Sequence, residues 1–250
     1  MSYTKRKQMI ALLCSVQAEA EQLLAATAVT GSLSRGSKSL IEGTLAGRRI
    51  MLCVGGMGKV NAAHTATLLA GFNPAAMIIF GIGGAYPSSG AKIGDVALAK
   101  EEIAGDEGVF TADGFKDTEY MGIPLLKTAT SVIYTTYPAQ DSLVKQCSQS
   151  LTLHQKSGRA SVHIGTFVTL STCTGTTVRA RELEERYHGL CENMEGAAAS
   201  QVAGLHNIPW IEVRGISNMV EDRNLKNWNI PGAAQAAQQA VLRILEGWKQ

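Results

Sequence analysis

The sequence predicts a three-layer α/β/α fold in one domain, and two observations carry that prediction. Nearly continuous apolar runs of strand length recur along the chain, and between them lie segments of helical character. Strands that are apolar throughout need cover on both faces, which alternating helices provide. No low-complexity linker or internal repeat divides the 250 residues. A single domain over 1–250 is therefore expected, with 1–8 as a flexible basic N-terminus.

The elements follow in order. MIALLCSV (9–16) is a first strand and AEAEQLLAATA (18–28) a helix. RRIMLCV (48–54) is a second strand, joined by a glycine turn to the helix KVNAAHTATLLAG (59–71). AAMIIFGIGG (75–84) is a buried strand running into a glycine-rich loop. GDVALAKE (94–101) and VHIGTFVTL (162–170) are further strands, and 104–160 is the least regular stretch. From Arg179 to Arg186, basic residues interleave with Glu182, Glu184 and Glu185, as on an exposed helix. A helix at 197–206, the strand PWIEVRGIS (209–217) and the helix PGAAQAAQQAVLRILEGW (231–248) complete the chain.

Composition excludes several function classes. The 23 basic and 21 acidic residues give a net charge of +2 and form no basic stripe, so neither nucleic acid nor a membrane surface is an expected partner. Lys5-Arg6-Lys7 reads as a solvated terminus. Five cysteines without CxxC spacing argue against disulfides or zinc; Cys14 and Cys53 end apolar runs and read as buried small hydrophobes. The apolar run at 9–16 is short and has no cleavage site after it, so a cytoplasmic location is expected. No stretch approaches the length of a membrane span.

Familiar motifs fail on inspection. GGMGKV has the Gly-Lys of a phosphate loop, but Val60 replaces the metal-binding hydroxyl and Cys53 the leading glycine. GIGGAY lacks the spacing of a dinucleotide fingerprint. His64, His154, His163, His188 and His206 are dispersed, and the expectation for them is solvation or local bonding. Neither a metal nor a cofactor is expected.

In α/β sheets, ligands bind at the carboxyl ends of strands. Here those ends supply Glu19, Gly81 to Gly84, Thr169 to Thr174, Ser217 and Asn218. Glu195 opens an alanine-rich helix. Its carboxylate either interacts with the helix dipole or faces a pocket and holds a ligand's hydroxyls. A free carboxylate, an amide and a hydroxyl-binding acid suffice to break a glycosidic bond.

These residues resemble the nucleoside phosphorylases and nucleosidases, over nearly the whole chain from Met9. The likeness to methylthioadenosine/adenosylhomocysteine nucleosidases lies in the first strand with Glu19, GMGKVNAA (56–63), GIGG (81–84), NMEGAA (193–198) and RGISN (214–218), in the family's order. The resemblance implies a mixed sheet forming a distorted barrel, and a homo-oligomer of two or more subunits. It implies Glu19 as the acid that activates water, Glu195 as the acid on the ribose 2′- and 3′-hydroxyls, and Met194 packed on the sugar. Gly83 and Gly84 would let the backbone approach water and ribose closely.

Departures from the family pattern narrow the reading. Ile79 and Ile82 stand where phosphorylases hold phosphate, and aliphatic groups cannot pair with a dianion, so hydrolysis is expected. Adenine-cleaving nucleosidases carry an aspartic acid where this chain has Asn218. An amide can hydrogen-bond N7 and O6 of a 6-oxopurine, so hypoxanthine is the expected leaving group. With GTFVTLSTCTGT (165–176) and RGISNMVEDRNLKNWNIPGAA (214–234), the chain is most similar to the futalosine hydrolases, which act in menaquinone biosynthesis. The resemblance also places Cys173 and Thr174 at the base, where the family stacks an aromatic ring and makes backbone contact. Asn193 departs from the usual Glu-Met-Glu. Arg214 is expected to be a structural ion-pair partner and Trp228 to pack under the last helix. The alternatives are a methylthioadenosine-type nucleosidase, an inosine phosphorylase, or a catalytically silent nucleoside-binding protein.

Overall fold

A computed structural model describes residues 8–129, 131–152 and 160–249, so the basic run Lys5-Arg6-Lys7 and His154 lie outside the described residues. The chain runs β1 (Ile10–Cys14), α1 (Glu21–Ala26), β2 (Ala28–Arg35), β3 (Lys38–Leu45), β4 (Arg48–Val54), α2 (Lys59–Ala70), β5 (Ala76–Ala85) and β6 (Val96–Ala104). Next come β7 (Gly108–Thr111), β8 (Gly114–Asp117), α3 (Thr118–Met121), β9 (Leu126–Lys127), β10 (Val132–Ile133), β11 (Thr136–Pro138) and α4 (Asp141–Thr152). It ends with β12 (Val162–Thr169), α5 (Thr177–Tyr187), β13 (Cys191–Asn193), α6 (Gly196–Leu205), β14 (Trp210–Met219) and α7 (Ile230–Glu246).

Ten strands form one mixed sheet, nine of them in the order β11-β6-β12-β13-β5-β1-β4-β3-β2 and β14 off that path. β14 pairs with β5 in parallel and with β6 antiparallel, so β5, β14, β6, β12 and β13 close into a barrel. The distorted barrel expected from the resemblance is present. Helices α2 and α6 pack together on one side, while α7 packs on β5 and β14, backed by α4. The central strands are apolar on both faces because both are covered: all five residues of β1 are buried.

Three local expectations change. The helix predicted over 18–28 is a 3-10 turn (Gln17–Glu19) followed by the short α1, because the Glu19 carboxylate folds back onto the N–H groups of Ser15 and Val16. Gly81 to Gly84 are not a loop but the end of β5, which continues to Ala85. The hairpin β2–β3 escaped the apolar pattern because β2 is largely exposed. Within 104–160, α4 buries Leu143, Val144, Cys147 and Leu151, a helical spacing on one face. The interleaved charges form α5, where Arg179 meets Glu182 at 2.8 Å. Among the described residues no helix is long and apolar enough to cross a membrane.

Candidate active site

The ends of β1, β5, β13 and β14 meet the start of α6 around a cleft of about 260 Å³. Of the sequence-predicted residues, Glu19, Gly83, Gly84, Cys173, Met194, Glu195 and Asn218 all line it. Thr174 is buried behind the wall rather than on it.

Glu19 is 3% exposed, although the three residues before it face solvent. Its Oε2 accepts the N–H groups of Ser15 at 2.9 Å and Val16 at 3.0 Å, and its Oε1 accepts that of Ile82 at 2.8 Å. Three backbone donors from two strands fix the carboxylate at the cleft wall. Gly81 makes room for it: a Cβ there would collide with Glu19 Oε1 and lie 3.0 Å from Arg214 Nη1.

Glu195, 4% exposed, stands at the N-cap of α6 but makes no capping bond with its own side chain. The helix-dipole reading fails here, because the carboxylate turns away from its own helix. Its Oε1 accepts the Gly58 N–H at 2.9 Å, at the start of α2, and its Oε2 lies 3.3 Å from Arg214 Nη2. Gly58 adopts φ of 93°, which glycine takes without strain. Capping of α6 falls to Asn193, whose Oδ1 accepts the N–H groups of Glu195 at 2.9 Å and Gly196 at 2.7 Å. An amide at this position therefore has a structural role.

Arg214 is buried and bonded through all three nitrogens: besides the Glu195 contact, Nε donates to Glu212 Oε1 at 2.6 Å and Nη1 to the Ile82 carbonyl at 3.0 Å. It is the ion-pair partner expected, and it also lines the cleft. Burial opposes its charge, and the Glu212 and Glu195 carboxylates more than restore it. Behind it, Glu102 is fully buried, and its carboxyl and that of Glu212 both stand beside Gly196. Burial, and then the Glu212 charge, push the Glu102 carboxyl well above its ordinary range. Glu212 Oε2 has no hydrogen-bond donor among the described residues, and a proton on Glu102 would supply one. Asn193 Nδ2 and Thr169 Oγ1 donate to Glu102 at 2.7 and 2.8 Å.

Asn218 owes its aim to a bulge. The β14 register against β5 shifts between Ile216 and Asn218, so Asn218 stands opposite Gly84. Ser217 Oγ lies 2.8 Å from Asn218 Oδ1, and Asn218 Nδ2 donates to the Met219 carbonyl at 3.0 Å. These contacts settle which end of the amide is the donor. Gly83 and Gly84 are needed for packing: a Cβ on Gly83 would strike Cys191 Sγ, and one on Gly84 would lie 2.9 Å from Val220 Cγ2.

Sequence reasoning missed Glu192, Arg223 and the placement of Trp228, all of which line the cleft. Glu192 Oε1 accepts the Thr174 N–H at 3.0 Å. Trp228 forms part of the wall rather than packing under the last helix, because the turn Leu225–Asn227 brings it back over the site. Arg223 sits over its ring at 4.8 Å and reaches Cys173 Sγ at 3.4 Å. Arg223 forms no salt bridge among the described residues. Ile79 lies in the core and Ile82 at the cleft, so neither offers a phosphate ligand. His64 and His163 are locally bonded, to the Gly36 carbonyl and to Asp95.

Known proteins are similar to this chain. The chain is 34% identical to the futalosine hydrolase of Streptomyces coelicolor over 68% of its length and 66% of that relative's, just under two thirds. It is 27% identical to the 5′-methylthioadenosine/S-adenosylhomocysteine nucleosidase of Mycobacterium bovis, over 82% of this chain and 84% of that one. The crystal structure of the corresponding nucleosidase from Neisseria meningitidis, in complex with methylthio-immucillin-A, superposes with a TM-score of 0.83 at 22% identity, covering 96% of this chain and all of that one. Residues 9–246, all but the two ends, match the Phosphorylase superfamily, and the chain belongs to that family.

Proposed function

We propose that this chain is a nucleoside N-ribosyl hydrolase that releases hypoxanthine from futalosine, in the futalosine route of menaquinone biosynthesis. The observation that carries the choice of base is Asn218, which lines the cleft and whose Nδ2 keeps a second N–H beyond the one donated to the Met219 carbonyl. A 6-oxopurine offers N7 and O6 to such a donor.

Water is the nucleophile. Glu19 takes its proton as the bond from C1′ to the purine nitrogen breaks, and the bonding electrons leave with the base. The ribosyl ring gains positive charge, which the Glu195 carboxylate stabilises while accepting hydrogen bonds from the 2′- and 3′-hydroxyls. Met194 packs on the sugar, and Gly83 and Gly84 let the strand lie close to it. Asn218 steadies the charge that develops on the departing base. Cys173 contacts the base at the wall.

Futalosine carries a carboxyphenyl ketone on its 5′ side, and that carboxylate must enter a cleft rich in acids. Arg223 is the cleft cation without a carboxylate partner among the described residues, and the Trp228 ring beside it suits an aryl group. The homo-oligomer of two or more subunits that the resemblance implies is part of this proposal. Exchange of Asn218 for Asp tests the base assignment: Asn218→Asp loses hypoxanthine release by about tenfold or more, in keeping with one lost hydrogen bond to a charged or charging group. Unchanged release would overturn it.

A further inference from the structure

We infer that Glu192 reads the N1 edge of the purine and makes the site selective for 6-oxopurines over 6-aminopurines. This rests on the nucleosidase reading above.

Glu192 and Asn218 flank one residue. Glu192, on β13, pairs with Gly84 of β5 from one side, and Asn218, on β14, pairs with the same Gly84 from the other. A Cβ on Gly84 would lie 3.1 Å from Asn218 Nδ2 and 3.5 Å from Glu192 Cγ, so both side chains stand over the same face of that strand. Both line the cleft. Asn218 brings a donor to the base, and Glu192 brings an acceptor next to it.

Thr174 shows what the acid changes. The resemblance assigns backbone contact with the base to this segment, and a backbone N–H there would donate to an acceptor on the base. In this chain the Thr174 N–H is taken by Glu192 Oε1 at 3.0 Å. The group presented to the base is then a carboxylate, and the polarity of the subsite is reversed from donor to acceptor.

Purine chemistry turns that reversal into selectivity. A 6-oxopurine carries a proton on N1 and an acceptor at O6, whereas a 6-aminopurine carries a lone pair on N1 and a donor at position 6. A carboxylate accepts the N1–H of the first and repels the N1 lone pair of the second. Glu192 is 6% exposed and has no salt-bridge partner among the described residues. Beyond Thr174 its contact is the Tyr86 hydroxyl, at a long 3.4 Å. Burial pushes its carboxyl up from the usual range, which marks an acid short of donors. The N1–H supplies one.

The test is calorimetric binding of hypoxanthine, adenine and 1-methylhypoxanthine to the full chain, wild type and Glu192→Gln. Wild type is expected to prefer hypoxanthine over adenine by about tenfold to a hundredfold, the range for a hydrogen bond to a charged group. Glu192→Gln lowers that ratio by about tenfold and leaves the share that Asn218 sets, since a glutamine presents either polarity. Should the variant fail to fold, wild type alone decides. 1-Methylhypoxanthine keeps O6 and N7 but has no N1 proton, and it must bind far more weakly than hypoxanthine. A wild-type preference for adenine would contradict the 6-oxopurine reading itself. A hypoxanthine preference undiminished by Glu192→Gln, or 1-methylhypoxanthine binding as tightly as hypoxanthine, would overturn the role of Glu192 alone.

Discussion

Glu19 Oε1 accepts the backbone N–H of Ile82 at 2.8 Å, tying the acid after β1 to β5 across the sheet. With the donors of Ser15 and Val16, this bond leaves the carboxylate one orientation toward the cleft. Glu19→Gln is expected to lower kcat by about 10²–10⁴-fold with little change in KM, the usual range for loss of a general base. Steady-state base release from a correctly folded variant checks this, and a kcat near wild type would remove Glu19 from the mechanism.

Gly81 is coupled to the same acid. The added methyl of Gly81→Ala collides with the Glu19 carboxylate and crowds Arg214. Stability should fall by about 1–3 kcal/mol, as for other overpacked cores. The kcat should fall as well, because Glu19 must leave its donors. Denaturant unfolding and turnover on the same sample test both effects.

Arg214 joins Glu212 to Glu195, both buried. Arg214→Met leaves two buried carboxylates without their cation and should cost about 3–5 kcal/mol. The surviving folded protein should show a raised KM, because Glu195 loses its anchor at 3.3 Å. An unaltered KM would separate ribose binding from this ion pair.

Glu102 predicts a pH dependence of stability. Burial and the Glu212 charge raise its folded pKa above the unfolded value, so folding favours the protonated acid. That contribution is fully present at low pH and is lost as pH rises through the raised pKa. Glu102→Gln has no proton to lose and still donates toward Glu212. Its Tm should decline less than that of wild type as pH rises above the ordinary carboxylate range. Parallel declines would show that the Glu102 proton carries no stability.

Arg223 separates the two halves of the substrate. Arg223→Gln should lower kcat/KM for futalosine by about tenfold, the scale of one charge-assisted hydrogen bond, and leave inosine nearly unaffected. Equal losses on both substrates would place Arg223 at the base or in the fold.

The sequence made the central strands legible because β1 and β5 are apolar along their whole length and β4 is apolar from Ile50 on, as buried strands of such a sheet must be. Glu19, Glu195 and Asn218 were legible because strand ends and helix starts are where α/β folds gather ligands. Glu192 was not: CEN (191–193) is too short to read as a strand, and only its pairing with Gly84 turns the acid inward. The Glu102–Glu212–Arg214 chain was hidden as well, because Glu102 lies on β6 and its partners on β14, which meet only when the barrel closes. Trp228 was misplaced because nothing in its neighbourhood announces that the turn at Leu225–Asn227 brings it back over the cleft.

The most direct test of the central claim is base release from futalosine, inosine and methylthioadenosine, each with and without phosphate. The account predicts hypoxanthine from futalosine at a rate independent of phosphate, with inosine slower and methylthioadenosine inert. Adenine from methylthioadenosine as the main product would contradict the reading of Asn218, and a requirement for phosphate would contradict hydrolysis.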